Sequence, residues 1–161
     1  GQRAVERTLR MISVEEHPVA AAWLYLARAE LTQFQIPANA LKDAMEARRL
    51  FKGRKTTVSA KLSVYQVLTG AAASDGNYAR SIEYARNMAT TADKHRRSLE
   101  KVTALRHLVS GLSIMGARLE ARTHLNQALK LAREVGFRVE EAILTRILEE
   151  EERRRGGRRR E

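Results

Sequence analysis

Three segments of this chain align without a gap: residues 35–47 (QIPANALKDAMEA), 76–88 (GNYARSIEYARNM) and 116–128 (GARLEARTHLNQA). The offsets between them are 41 and then 40. Ala40, Ser81 and Ala121 share one position; Ala44, Ala85 and Leu125 a second; Ala47, Met88 and Ala128 a third. Self-similarity at such a period means that each unit buries its apolar face only against its neighbours, so the units must stack in series. The expected architecture is all-α, an α-solenoid of stacked helical hairpins.

The helices follow from spacing. Before each motif lies an apolar stripe in steps of three and four: Leu24, Ala27 and Leu31; Tyr65, Leu68 and Ala72; Leu105, Leu108 and Leu112. Those steps hold side chains on one helical face. The stretches between breakers are rich in Ala, Leu, Glu, Arg and Lys, the strong helix formers. Pro18 suits a helix start, Pro37, Gly76 and Gly116 separate paired helices, and Gly53 and Gly136 suit helix ends. The spacing predicts hairpins of 18–35 with 38–52, 57–74 with 77–94, and 98–115 with 117–135. Repeat units then run 18–56, 57–97 and 98–137, in one domain over 1–154. A further helix is expected over 138–154, its apolar face made of Val139, Ile143, Ile147 and Leu148. Val5, Leu9 and Ile12 mark an opening helix, either the second helix of a preceding unit or a simple cap. Gly116 and Ala121 are expected where the helices of one hairpin cross closely. The stretch 155–161 offers nothing to bury and is expected to be a disordered basic tail.

These residues resemble the tetratricopeptide repeat, which has a Leu-rich first helix, a Gly near the turn and Ala early and late in the second helix. The third unit matches best, through Leu105, Leu108, Leu112, Gly116, Ala121, Leu125, Ala128 and Leu129. The second keeps Gly76, Tyr78 and Ala85, with Ser81 and Met88 where Ala is usual; the first lacks the turn Gly. The resemblance implies a right-handed superhelix. The units here are longer than the usual ~34 residues, and such long units are similar to the helical repeats of bacterial signal-responsive regulators of the MalT type. That similarity implies the sensing or interaction domain of a larger bacterial regulatory protein.

Chemistry is sparse. Cysteine is absent, His17, His95, His107 and His124 are scattered, and no metal-ligand spacing or phosphate loop occurs. We expect no enzyme, no metal and no cofactor. No apolar run reaches the roughly 18 residues of a membrane span, and we expect a cytoplasmic protein with no membrane partner.

Stacked hairpins offer a concave surface formed by their first helices. The repeat register places on it rows of small and polar residues: Ala22, Ser63 and Thr103; Tyr25, Gln66 and Arg106; Ala29, Gly70 and Ser110; Thr32, Ala73 and Ser113. Tyr25, Gln66, Arg106 and Ser110 are the expected groove for a protein or peptide ligand. The Lys/Asn carboxylate clamp that some tetratricopeptide domains close on a chaperone tail is not matched, since Tyr25 and Ala29 stand at its sites. The chain carries a formal charge of +11, of which the segment from Glu149 onward contributes only one. Lys52, Arg54 and Lys55 recur as Lys94, Arg96 and Arg97, an expected basic edge able to meet phosphates or an acidic protein. The expected function is protein or peptide binding, and the alternative is a nucleic-acid-associated scaffold using that edge. Self-association through exposed solenoid ends is a further expected property.

Overall fold

In the computed structural model the chain is described at residues 1–54 and 56–157, with backbone alone at 154–157. Eight helices and no strand occur among the described residues: α1 Gln2–Met11, α2 Pro18–Thr32, α3 Pro37–Phe51, α4 Val58–Ser74, α5 Tyr78–Lys94, α6 Ser98–Ile114, α7 Arg118–Val135 and α8 Arg138–Gly157. Each helix packs on the next in sequence. The backbones of the even-numbered helices α2, α4, α6 and α8 also approach one another in turn, whereas those of the odd-numbered ones do not. The result is a continuous row of even helices, with odd helices standing apart over the gaps between them.

The turns show a period finer than the hairpin. From α4 onward the helices start at Val58, Tyr78, Ser98, Arg118 and Arg138, an even spacing of half a repeat unit. Left-handed backbone recurs with them, at Gly76, Arg96, Gly116 and Gly136, with φ of 77°, 53°, 82° and 80°. After each, an N–H reaches back to the fifth carbonyl before it: Asn77 to Ala72, Arg97 to Ala92, Ala117 to Leu112 and Phe137 to Ala132, at 2.8–2.9 Å. This is the Schellman closure, which satisfies the last carbonyls of one helix while aiming the chain into the next. A left-handed residue is strained unless it is Gly. Three of the four positions obey that rule, and Arg96 does not.

The first hairpin departs from this period. Here α2 ends at Thr32, short of the expected end at Gln35, because Pro37 pushes Ile36 out of the helical region (φ −137°, ψ 69°). First helices start at Pro18, Val58 and Ser98, offsets of 40 and 40, whereas the second helices, from Pro37, Tyr78 and Arg118, follow at 41 and 40. One residue turns a helix by about 100°. Counted from the helix starts, Tyr25 therefore corresponds to Tyr65 and Leu105, not to Gln66 and Arg106. The expected stripe is corrected accordingly. Leu31 is 49% exposed, and Ala22, Leu26, Ala29 and Thr32 are buried instead.

Packing relies on alanine, which lets helices approach closely. Ala21, Ala22, Ala29, Ala40, Ala44 and Ala47 are all fully buried in the cluster that joins α2 to α4. Ser81, where the repeat pattern has Ala, is buried and donates its Oγ hydrogen to the Thr69 carbonyl at 3.0 Å. Met88 is also fully buried, and its unbranched side chain fills the space that a second Ala would leave. Ala121 is buried as expected, but Gly116 stands in open space and serves only its φ. The close approach is at Gly111, where a Cβ would come within 2.8 Å of Ile82 Cγ1.

At the far end, Leu144 of α8 is fully buried, with Ile147 and Leu148 packed beside it. Val139 is 74% exposed, so the expected apolar face is rotated here too, for Leu144 holds the place of Val64 and Ala104 counted from the helix starts. The helix itself continues to Gly157, past the expected stop at 154; the rest of the expected tail, 158–161, lies outside the described residues. At the near end, Val5, Leu9 and Ile12 are partly buried and α1 packs on α2 alone. Among the described residues no helix is long and apolar enough to cross a membrane.

Candidate binding clefts

Wherever two odd helices stand apart over an even one, a cleft can open between them. The first lies between α1, α2 and α3 and encloses about 740 Å³. Its charges balance: Glu6, Asp43 and Glu46 against Arg28, Lys42 and Arg49. The balance is structural. Asp43 is buried and accepts two hydrogen bonds from Arg28, at 2.7 Å each. That bond pushes the guanidinium further above its already high range, and the Arg28 group also stands 5.4 Å over the Tyr25 ring. This cleft is internally satisfied.

The next cleft, between α3, α4 and α5, encloses about 690 Å³ and is built differently. On α3, Met45, Arg48 and Arg49 lie at helical steps of three and four and so share a face, and Lys52, the residue that caps the helix, follows one turn on. Lys61 and Tyr65 do the same on α4, as do Thr90 or Thr91 with Lys94 on α5. Among the described residues the lining holds five cations, Arg48, Arg49, Lys52, Lys61 and Lys94, with His95 beside them, and not one carboxylate. Phe51 and Val64 form a buried apolar floor, while the lysines stand exposed around it.

Part of this charge belongs to the fold. Arg48, Arg49 and Lys94 occupy the last turns of α3 and α5, where a cation complements the helix dipole. Lys61 does not fit that account, since it stands in the first turn of α4, the positive end. Arg49 is committed to Glu46, at 2.7 and 2.9 Å, and holds that carboxyl below the usual carboxylate range. Among the described residues Arg48, Lys52, Lys61 and Lys94 make no ion pair. A third such gap, between α5 and α7, is crossed by the pair Arg86–Glu120 at 2.6 Å.

The expected groove row is not assembled. Tyr25 lines the first cleft, on the side bounded by α1 and α3, because α2 is set one residue out of the motif's register. Gln66 lines a shallow groove of about 130 Å³ between α2 and α4, beside Trp23, Leu26 and Val67. Arg106 points to α8, where its Nε lies 3.2 Å from Glu140 Oε2; the two buried atoms meet as an ion pair without hydrogen-bond geometry. Ser110 is exposed on α6 and lines none of these clefts. Ala22, Ala29 and Thr32, placed in the same rows, are core residues.

The basic edge is brought together in part. Lys52 and Lys94 share the α3–α5 cleft. Arg54 caps α3 by donating to the Leu50 carbonyl at 2.7 Å. Arg96 is exposed at its turn, and Arg97 is held by the Ser59 hydroxyl and by Glu100. Lys55 lies outside the described residues. Arg48, Lys61 and the floor were missed from sequence. Arg48 and Lys52, one helical turn apart, were the available signal; nothing local placed Lys61 opposite them. No three His, Cys, Asp or Glu side chains gather as a metal site requires among the described residues. No protein-family model matches this chain, and no curated protein matches it significantly.

Proposed function

We propose that this chain is a right-handed, tetratricopeptide-like solenoid serving as a non-enzymatic protein- or peptide-binding module, the cytoplasmic interaction domain of a larger bacterial regulatory protein. The serial packing of helices and the even spacing of their starts support the solenoid. One observation carries the binding role: the cleft between α3, α4 and α5, with five cations, an apolar floor and no carboxylate among the described residues. The ligand surface is then this outer cleft and not the row through Tyr25, Gln66, Arg106 and Ser110, since Arg106 is already paired with Glu140.

A second reading, nucleic-acid association, is favoured by the same cations and the net charge of +11. Phosphate contacts ask for charge and little else, so this reading leaves the exposed apolar surface of Met45 and Tyr65 without a role. The two separate by selection. Panning a random peptide library against the full chain should recover acidic sequences, and Lys52→Glu with Lys94→Glu should abolish their binding. Recovery of no peptide, with an oligonucleotide bound at physiological salt and released steeply as salt rises, would establish the second reading instead.

A further inference from the structure

Resting on the reading that the α3–α5 cleft holds a protein segment, we propose that its ligand is an amphipathic acidic peptide, with one bulky apolar side chain flanked by carboxylates. The floor supplies the first half of the argument. Its open apolar surface is Met45, 41% exposed at the lip, and the half-buried Tyr65 ring, backed by Phe51 and Val64 at 6% and 4%. An apolar ligand side chain is needed to dry this surface; a purely anionic chain would leave it wet.

The rim supplies the second half. Arg48 and Lys52 rise from α3, Lys94 from α5 and Lys61 from α4, so a ligand on the floor has cations on three sides. A neutral apolar peptide would strip water from these groups without compensating them, which is costly. Carboxylates beside the apolar anchor remove that cost. Arg49 adds a point of exchange: it is held by Glu46 across the lip between the two clefts, and a ligand carboxylate competes for the same guanidinium. The neighbouring cleft offers such a ligand no net attraction, since its three carboxylates balance its three cations.

Fluorescence anisotropy on the full chain at physiological salt tests this with four labelled probes. They are a peptide carrying Phe and Leu among glutamates, its Ser-for-apolar variant, its Gln-for-Glu variant, and a single-stranded oligonucleotide. The first should bind at least tenfold more tightly than the other three. Lys52→Glu with Lys94→Glu should weaken it tenfold or more, and Met45→Ser should weaken it while leaving the Ser-for-apolar variant unchanged. Equal binding of the Ser-for-apolar variant or of the oligonucleotide overturns the amphipathic ligand, as does binding of none of the four. The reading of the cleft as a peptide site fails separately, if library-selected peptides bind the charge-reversed chain as well as the native one.

Discussion

Replacing Arg96 by Gly should stabilise this protein, although it deletes a side chain and adds a flexible residue. Arg96 takes φ 53° at a turn whose periodic counterparts are Gly76, Gly116 and Gly136. Holding an L-residue in the left-handed region costs roughly 1–2 kcal/mol. Against that, Gly at this site raises the entropy of the unfolded chain by about 0.4–1 kcal/mol. The side chain contributes little to offset the difference, being exposed and without an ion pair among the described residues. The closure itself is backbone, Arg96 N–H to Asp93 and Arg97 N–H to Ala92, and survives the substitution. The net gain is about 0.5–1 kcal/mol, which for a chain of this size raises the melting temperature by about 1–4 °C. Arg96→Asn should fall between the two, and the reverse change, Gly116→Arg, should destabilise by roughly 1–2 kcal/mol. Urea titration followed by circular dichroism measures all three. A destabilised Arg96→Gly, or a neutral Gly116→Arg, would refute the periodic-turn argument.

Gly111→Ala should destabilise by roughly 1–3 kcal/mol, because the new Cβ meets Ile82 Cγ1 at 2.8 Å; combined with Ile82→Ala, which removes that atom, it should cost less than in the native chain, and an additive double mutant would deny the contact. Burial, with a smaller push from Arg106, lowers His107 from its ordinary 6.5 to about 4. Both states are neutral there above pH 6.5, where stability is complete; below it the unfolded chain takes up a proton that the fold refuses, so stability falls between pH 6.5 and 4, by at most about 3 kcal/mol. His107→Gln should flatten that slope, whereas Glu46 and Glu120, both lowered, lose their contribution only as pH falls from their ordinary 4.5 downward; an unchanged slope in the variant would reject the assignment.

Helix order was legible because the signals were local: apolar spacing, Pro at helix starts and Gly at turns marked each helix in turn and placed most of their ends closely. The rotation of a helix about its own axis was less so. In α2 the first helices keep an offset of 40 where the motif has 41, and that difference moved Tyr25 from the groove row to the cleft between α1, α2 and α3. The same kind of shift put Leu144 rather than Val139 against the core. Arg106 shows the other limit. Its partner Glu140 lies on the next even helix, with all of α7 between them in the chain, and only packing brings them together. The binding cleft combines both problems. Arg48 and Lys52 can be paired from spacing on one helix, but Lys61 and Lys94 join them only through the gap between odd helices.

The central claim is that the cleft between α3, α4 and α5 is where this protein holds its ligand. Backbone amide shifts, followed by NMR as the acidic amphipathic peptide is titrated into the isotopically labelled chain, test it most directly. The account predicts that the largest changes fall together at Met45, Arg48 and Lys52 of α3, Lys61 and Tyr65 of α4, and Thr91 and Lys94 of α5. Changes centred instead on Trp23, Gln66 and Val67 between α2 and α4, or on Arg106 and Glu140, would contradict it.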